Sequence, residues 1–388
     1  MLLTARQAAD RLGIKLDTLY AYVSRGRLRS VGVPGTRERR YRVEEVEALR
    51  GAGAAVRGAD GEPLTPVVGS SICLIENGKL YYRGKDAIAL SASATLEDIA
   101  ALLWRAEPGT GDAAEMAPPA NAGAASGLIE HCQIRLAAAA DSDLPALDLT
   151  RAGVIRTGRH ILRALTACVA AAPPASEPIH RRLAAAWKLG DAGAGIVRRC
   201  LVLIADHELN ASTFVARCVA STAATPYAVV SAALAALSGR RHGGASARAE
   251  ALFLELARGG DPMAAMAARL ARDEDLPGFG HFLYPEGDPR AASILAAVAR
   301  ELPAADSLIE AAAAAGTRLT GRRPNVDFAL AAAATALGLP QNAALGLFII
   351  GRTVGWIAHA IEQYESGTLI RPRARYLGPR PEETTGST

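Results

Sequence analysis

Residues 51–64, GAGAAVRGADGEPL, carry no hydrophobic periodicity, and this run constrains everything on either side of it. Glycine and alanine without an apolar stripe give a segment freedom but no face to bury, so it reads as a flexible linker and a domain boundary. Residues 1–50 are therefore expected to fold apart from the rest of the chain. The two parts also differ in charge. The head holds eleven Lys or Arg against six Asp or Glu, while the whole chain has a formal net charge of only +4, so the body is close to neutral. A basic head points to nucleic acid; the body gives no such indication.

Within the head, LTARQAADRL (residues 3–12) predicts a short helix with Thr4 as cap and Ala5, Ala8, Ala9 and Leu12 on one face. After Gly13 a second helix is expected to bury Leu16, Leu19, Tyr20 and Val23, leaving Thr18, Tyr22 and Arg25 on other faces. Gly35 then lies between two short extended runs, with Arg37, Arg39, Arg40 and Arg42 clustered behind it. This segment resembles the winged helix-turn-helix domains of the MerR and excisionase type. The resemblance implies a DNA-binding domain over residues 1–50, with Thr18, Tyr22, Arg25, Arg37, Arg39 and Arg40 as contact candidates. The charge pattern alone also fits a helical interaction module with a solvated basic face.

The body reads as mainly α. Half of the residues are hydrophobic but only 5% are aromatic, which disfavours a sandwich or barrel. A small β-hairpin is expected around Asn77-Gly78 in SSICLIENGKLYYRG, and a helix after Thr95 with Leu96, Ile99, Leu102 and Leu103 buried. The five cysteines are scattered without a CxxC pair, and there is no HExxH, P-loop or GxGxxG. No run of about 18 apolar residues reads as a membrane span. The expectation is a soluble, cytoplasmic protein with no membrane partner.

Several later stretches carry chemistry. GFGHFLYPEGDPR (278–290) sets His281 behind two glycines and Arg290 behind an Asp-Pro turn, where a histidine and a planar cation can share a carboxylate ligand. ADHELNASTF presents His207, HGGA presents His242, and PNVDF places Asp327 near a helix N-terminus. Each has a plain local reading: a polar surface loop, a solvated charge cluster, a turn after a helix, a helix cap. Arg352 is different, because it sits among Phe348, Ile349, Ile350, Val354 and Trp356. A cation there costs stability unless an anion pairs with it.

Together, HELNASTF, HGGA, GFGH…DPR, NVDF, GRTVGWIAH and RPR, in this order from near Val67 to near Pro379, resemble the citrate synthase family. The resemblance implies a two-domain helical fold, with residues 65–242 and 339–380 as a large domain and 243–338 as a small domain closing over the site. It implies condensation of acetyl-CoA or propionyl-CoA with oxaloacetate, giving citrate or 2-methylcitrate. Asp327 matches the general base, His242 the neutral donor to the thioester oxygen, and His281 the residue polarising the ketone. His207, Arg290 and Arg352 match oxaloacetate ligands. Arg371 matches an arginine reaching the site from the partner of a homodimer. The acyl-CoA is then a co-substrate, with no permanently bound cofactor and no metal. The alternative is a DNA-binding regulator that keeps the synthase body as a sensor of oxaloacetate or acyl-CoA.

Two departures accompany the resemblance. Arg240, Arg241 and Ser246 surround HGGA where common members carry other residues. Between His281 and Asp288 there is no Lys or Arg, a position where many members hold coenzyme A. Arg240 and Arg241 are the expected substitutes for that charge.

Overall fold

The structure, a computed structural model, describes residues 2–12, 16–24, 28, 30–32, 39–43, 46, 68–107, 127–172 and 177–372. The linker at 51–64, Arg25 and Arg37 lie outside these residues. The chain divides into two compact units, with residues 1–69 in one and Ser70–Arg371 forming the other.

In the head, strand β1 (Leu2–Thr4) leads directly into the helix Ala5–Leu12. The expected helix thus starts two residues late, because Leu2–Thr4 pairs antiparallel with β3 (Arg39–Arg42). Thr4 still caps it: the Gln7 N–H donates to Thr4 Oγ1 at 3.2 Å, and the Thr4 N–H donates to Gln7 Oε1 at 2.9 Å. β2 (Ser30–Gly32) pairs with β3 on the other side, giving a sheet of order β1-β3-β2. Leu3, Ala8, Ala9, Leu12, Leu19, Leu28, Tyr41 and Val46 form the head's core.

On the second helix, Leu16–Ser24, the structure exchanges the expected roles of two tyrosines. Tyr22 packs against the core and Tyr20 is 52% exposed. The buried arc centres on Leu19. At 3.6 residues per turn Tyr22 lies roughly 60° from it and Tyr20 roughly 100°. Thr18 is exposed; Arg39 is exposed and donates to Ser30 Oγ at 2.8 Å, while Arg40 is half-buried.

The body begins with the hairpin of β4 (Cys73–Glu76) and β5 (Lys79–Tyr82), extended by β6 (Lys85–Asp86). Asn77 and Gly78 both take positive φ, 51° and 72°, as a two-residue turn between twisted strands requires. The helix Leu96–Trp104 follows, with Thr95 and Asp98 forming a reciprocal capping box.

At the centre is the helix Ala343–Ser366, packed by Leu96–Trp104, Arg151–Ala170, Asp191–Leu203, Ala211–Ala220 and Pro226–Leu237. Its mean hydropathy of 1.5 over an 18-residue window is that of a membrane span, yet that window is wholly buried in the body. The Trp104 indole N–H donates to the Val354 carbonyl at 2.9 Å, tying two of these helices together. A Cβ at Gly355 would come within 2.4 Å of the Ala205 carbonyl, so only glycine lets the 205–208 loop lie on this helix. The Gly355 N–H donates to the Ala205 carbonyl at 3.0 Å. That approach sets His207 beside the turn of helix bearing Arg352.

The helices Gly243–Leu256, Pro262–Ala271, Pro289–Glu301, Pro303–Thr320 and Val326–Ala336 build the intervening part. Two begin at Asp-Pro, with Asp261 and Asp288 as caps and proline at the first helical position, where no amide is needed.

Candidate active site

The loop carrying His281 is pinned to the segment carrying Asp327. Phe279 forms a β-bridge with Pro324. The Gly280 N–H donates to the Arg323 carbonyl, the Asn325 N–H to the Gly278 carbonyl, both at 2.8 Å, and the Asn325 amide to the Gly280 carbonyl at 3.0 Å. Gly278 has φ +92°, and a Cβ there would meet Phe328 Cβ at 2.9 Å. Glycine is thus required both for the turn and for the close approach. Asn325 also caps the helix Val326–Ala336 through the amides of Asp327 and Phe328, so Asp327 is freed from that task.

Around His281 the polar groups converge. The Leu283 N–H donates to His281 Nδ1 at 3.2 Å; in the neutral ring this leaves the proton on Nε2. The His207 ring lies edge-on to it, with centroids 5.0 Å apart, and His207 Nε2 is 3.1 Å from the Tyr284 hydroxyl. Arg290 is buried at 2% exposure and doubly bonded to Asp288, at 2.9 and 2.7 Å. Asp288 also accepts from the Val326 N–H at 3.1 Å. Burial, then the charge of Arg290, lowers His281 to about 4; burial with Arg290 and Arg352 holds His207 well below the usual range. Both rings are neutral at pH 7.

His242 stands at the start of the helix Gly243–Leu256. Its Nε2 is 2.7 Å from Ser212 Oγ, and burial, then Arg352, lowers it to about 4. Ser212 Oγ accepts from the Trp356 indole N–H at 3.2 Å and reaches Asn210 Oδ1 at 3.0 Å. Four residues past His242, the fully buried Ser246 donates its hydroxyl to Asp327 Oδ1. Burial raises the Asp327 carboxyl above the usual range, and the Ser246 bond opposes that rise.

Arg352 is 1% exposed, with Nε donating to the Ile204 carbonyl at 2.8 Å and Nη1 without a partner. A buried guanidinium with a free donor beside two neutral histidines and a second arginine is fitted to an anion. The structure therefore brings His207, His281, Arg290 and Arg352 into one electrostatic neighbourhood, with Asp327 influenced by both arginines and His242 by Arg352. Arg371 is exposed and, among the described residues, bonds to none of them. Sequence reasoning gave no role to Ser212, Tyr284 or Asp288. Only Asp288 had a local signal, its place in Asp-Pro-Arg. Among the described residues no group of three His, Cys, Asp or Glu side chains is arranged to hold a metal ion.

Comparison with known proteins identifies the family and the fold. The model for the citrate synthase C-terminal domain matches residues 160–373, and a helix-turn-helix domain model matches residues 2–52. "Putative citrate synthase 2" of Mycobacterium bovis is 42% identical over 187 residues, covering 46% of this chain and 50% of that protein. The chain thus matches about half the length of that relative. "2-methylcitrate synthase" of Mycobacterium tuberculosis is 30% identical over 341 residues, covering 78% of this chain and 86% of that protein. In fold, the citrate synthase of Thermoplasma acidophilum, in ternary complex with carboxymethyl coenzyme A and oxaloacetate, superposes with a TM-score of 0.71 at 24% identity. That superposition covers 83% of this chain and 97% of the other. A family model matched over more than half of the chain, with a relative aligned over most of both lengths, leads to one conclusion: the chain belongs to the citrate synthase family and carries a helix-turn-helix domain at its N-terminal end.

Proposed function

We propose that this protein condenses acetyl-CoA or propionyl-CoA with oxaloacetate, releasing citrate or 2-methylcitrate and coenzyme A. The observation that carries the reading is Asp327, a half-buried carboxylate held by Ser246, which lies four residues past a His242 ring that burial keeps neutral. A proton next to a thioester is so weakly acidic that a carboxylate needs a donor on the forming enolate. Asp327 takes the proton from the acyl α-carbon and His242 donates to the thioester oxygen. The Ser212 hydroxyl has one proton and two acceptors in reach. These are Asn210 Oδ1 at 3.0 Å and His242 Nε2 at 2.7 Å, and in this reading the hydroxyl turns its proton along the shorter contact to Nε2. His242 then carries its proton on Nδ1, available to substrate.

Oxaloacetate binds through His207, Arg290 and the free Nη1 of Arg352, and His281 donates from Nε2 to its ketone. The enol carbon attacks the ketone carbon, and the ketone oxygen gains a proton as the C–C bond forms. Water then cleaves the citryl thioester, giving the carboxylate and the free thiol, which makes the overall step irreversible. Closure of residues 243–338 onto 65–242 and 339–380 excludes water during the condensation. Arg371 completes the site from the second subunit of a homodimer, and the location is the cytoplasm.

The test is thiol release from acetyl-CoA on adding oxaloacetate. Turnover by wild type, reduced about a hundred- to ten-thousandfold in Asp327→Asn, is expected of a general base. The helix-turn-helix head supports a second reading, a DNA-binding regulator whose body senses oxaloacetate or acyl-CoA. A folded protein that binds both ligands without thiol release would replace the enzyme by the sensor. For the head, DNA mobility shift should fall with salt and with Arg39→Ala plus Arg40→Ala; salt-indifferent binding counts against DNA contact.

A further inference from the structure

His359, the last residue of GRTVGWIAH, has no part in the condensation chemistry, yet it is wholly buried on the helix that carries Arg352. It shares one face of that helix with Arg352 and Gly355, at i, i+3 and i+7. Asp206, also wholly buried, lies over the gap that Gly355 leaves: a Cβ there would strike Asp206 Oδ1 as well as the Ala205 carbonyl. The carboxylate is thus placed between a cation one turn before it and a histidine one turn after it.

Its two oxygens are turned to other groups. Oδ2 accepts from the Glu208 N–H at 3.2 Å, and Oδ1 faces His359 Nε2 at 3.4 Å. That second contact is long, and among the described residues neither atom has a hydrogen-bond partner, so the pair is matched but not locked. The far side of the imidazole is fixed. Arg217 Nη1 lies 3.3 Å from His359 Nδ1; a guanidinium can only donate, so Nδ1 accepts and the ring proton is on Nε2, pointed at Asp206. Arg217 is itself held by Gln363 Oε1 at 3.0 Å and Glu362 Oε2 at 2.6 Å. Asp206 carries the charge that Arg352 feels most strongly, ahead of Arg290, yet Arg352 Nη1 keeps no partner. A buried carboxylate this near is the natural competitor for any anion that Arg352 is to bind.

We infer that His359 is a positioning residue for oxaloacetate binding: its Nε2 proton keeps Asp206 off Arg352, so that Nη1 is free for a substrate carboxylate. This role rests on the reading of Arg352 as an oxaloacetate ligand.

Oxaloacetate is titrated calorimetrically into the full chain, and thiol release from acetyl-CoA is followed in parallel. In His359→Leu, Asp206 loses its donor and turns to Arg352. Oxaloacetate affinity should then fall about ten- to a hundredfold, the span of one charge-assisted hydrogen bond, with kcat at saturation held within about twofold. His359→Gln offers Arg217 an acceptor and Asp206 a donor, and should bind oxaloacetate like wild type. Adding Asp206→Asn to His359→Leu removes the competing charge and should also recover affinity. Wild-type affinity in His359→Leu, or a loss shared equally by kcat and affinity that His359→Gln does not rescue, overturns the role while the condensation reading stands. If His359→Leu does not fold, Asp206→Asn alone decides: it should bind oxaloacetate at least as tightly as wild type, and weaker binding overturns the role. If wild type neither binds oxaloacetate nor releases thiol, the condensation reading falls and this role with it.

Discussion

His281 and His242 are both neutral donors in this reading, but the chain prepares them by opposite routes. His281 is prepared locally. Its own loop supplies the Leu283 N–H that fixes the tautomer, and glycines two residues apart hold the loop against residues 323–325. His242 is prepared from a distance. Its tautomer depends on Ser212, thirty residues earlier, whose hydroxyl is itself oriented by Trp356 on the central helix. A backbone amide is lost only on substitution by proline, and it can only donate. A serine hydroxyl can rotate to a competing acceptor, here Asn210. The first arrangement is robust and the second adjustable.

The comparison can be broken at several points. The largest effect is expected from replacing either ring: His281→Ala or His242→Ala should lower kcat by about a hundred- to a thousandfold, as loss of a donor to developing charge does. The two variants are separated by isotope exchange, since His281→Ala should still exchange the acyl α-proton with solvent while His242→Ala should not. Ser212→Ala should cost about tenfold in kcat by releasing the His242 tautomer. Ring nitrogen chemical shifts should then change at His242 and stay fixed at His281; a shift at both would erase the distinction between them.

Ser246→Ala acts on the base rather than the donors. Removing a hydrogen bond to the charged carboxylate raises Asp327 further, so the acid limb of the kcat–pH profile should move upward, and Ser246→Thr should restore it. An unmoved limb would show that the bond has no bearing on the base. The smallest effect is on stability. Both histidines are lowered to about 4 from an ordinary value near 6.5, so the unfolded chain binds more protons between those limits. Their contribution is complete above about pH 6.5 and is lost as pH falls toward 4, at up to about 1 kcal/mol per pH unit for each ring. Urea unfolding at pH 7 and pH 5 should show a smaller difference in His281→Asn than in wild type.

How much could be read in advance divides along the same line. The hairpin at Asn77-Gly78, the Thr4 and Thr95 caps and the helix after Asn325 were legible because each depends on residues within a few positions. The tyrosine exchange in Leu16–Ser24 was not, because a stripe of i, i+3, i+4 and i+7 leaves open where the buried arc is centred; contact with the rest of the head settles it on Leu19. His207 looked locally like part of a solvated charge cluster, and is 5% exposed once Gly355 lets its loop lie on the central helix.

By itself the sequence determined the order of the motifs, the turns that glycine and proline permit, and the residue types able to accept or donate a proton. Those properties belong to single residues or short windows, where covalent geometry and local hydrogen bonds decide. Only the tertiary structure decided that Ser212 faces His242, that Ser246 holds Asp327, and that Arg322 and Arg323 rest over the glycines of the His281 loop. Each joins elements remote in sequence. Which remote groups meet, and how far burial then shifts their protonation, is fixed by packing of the whole body.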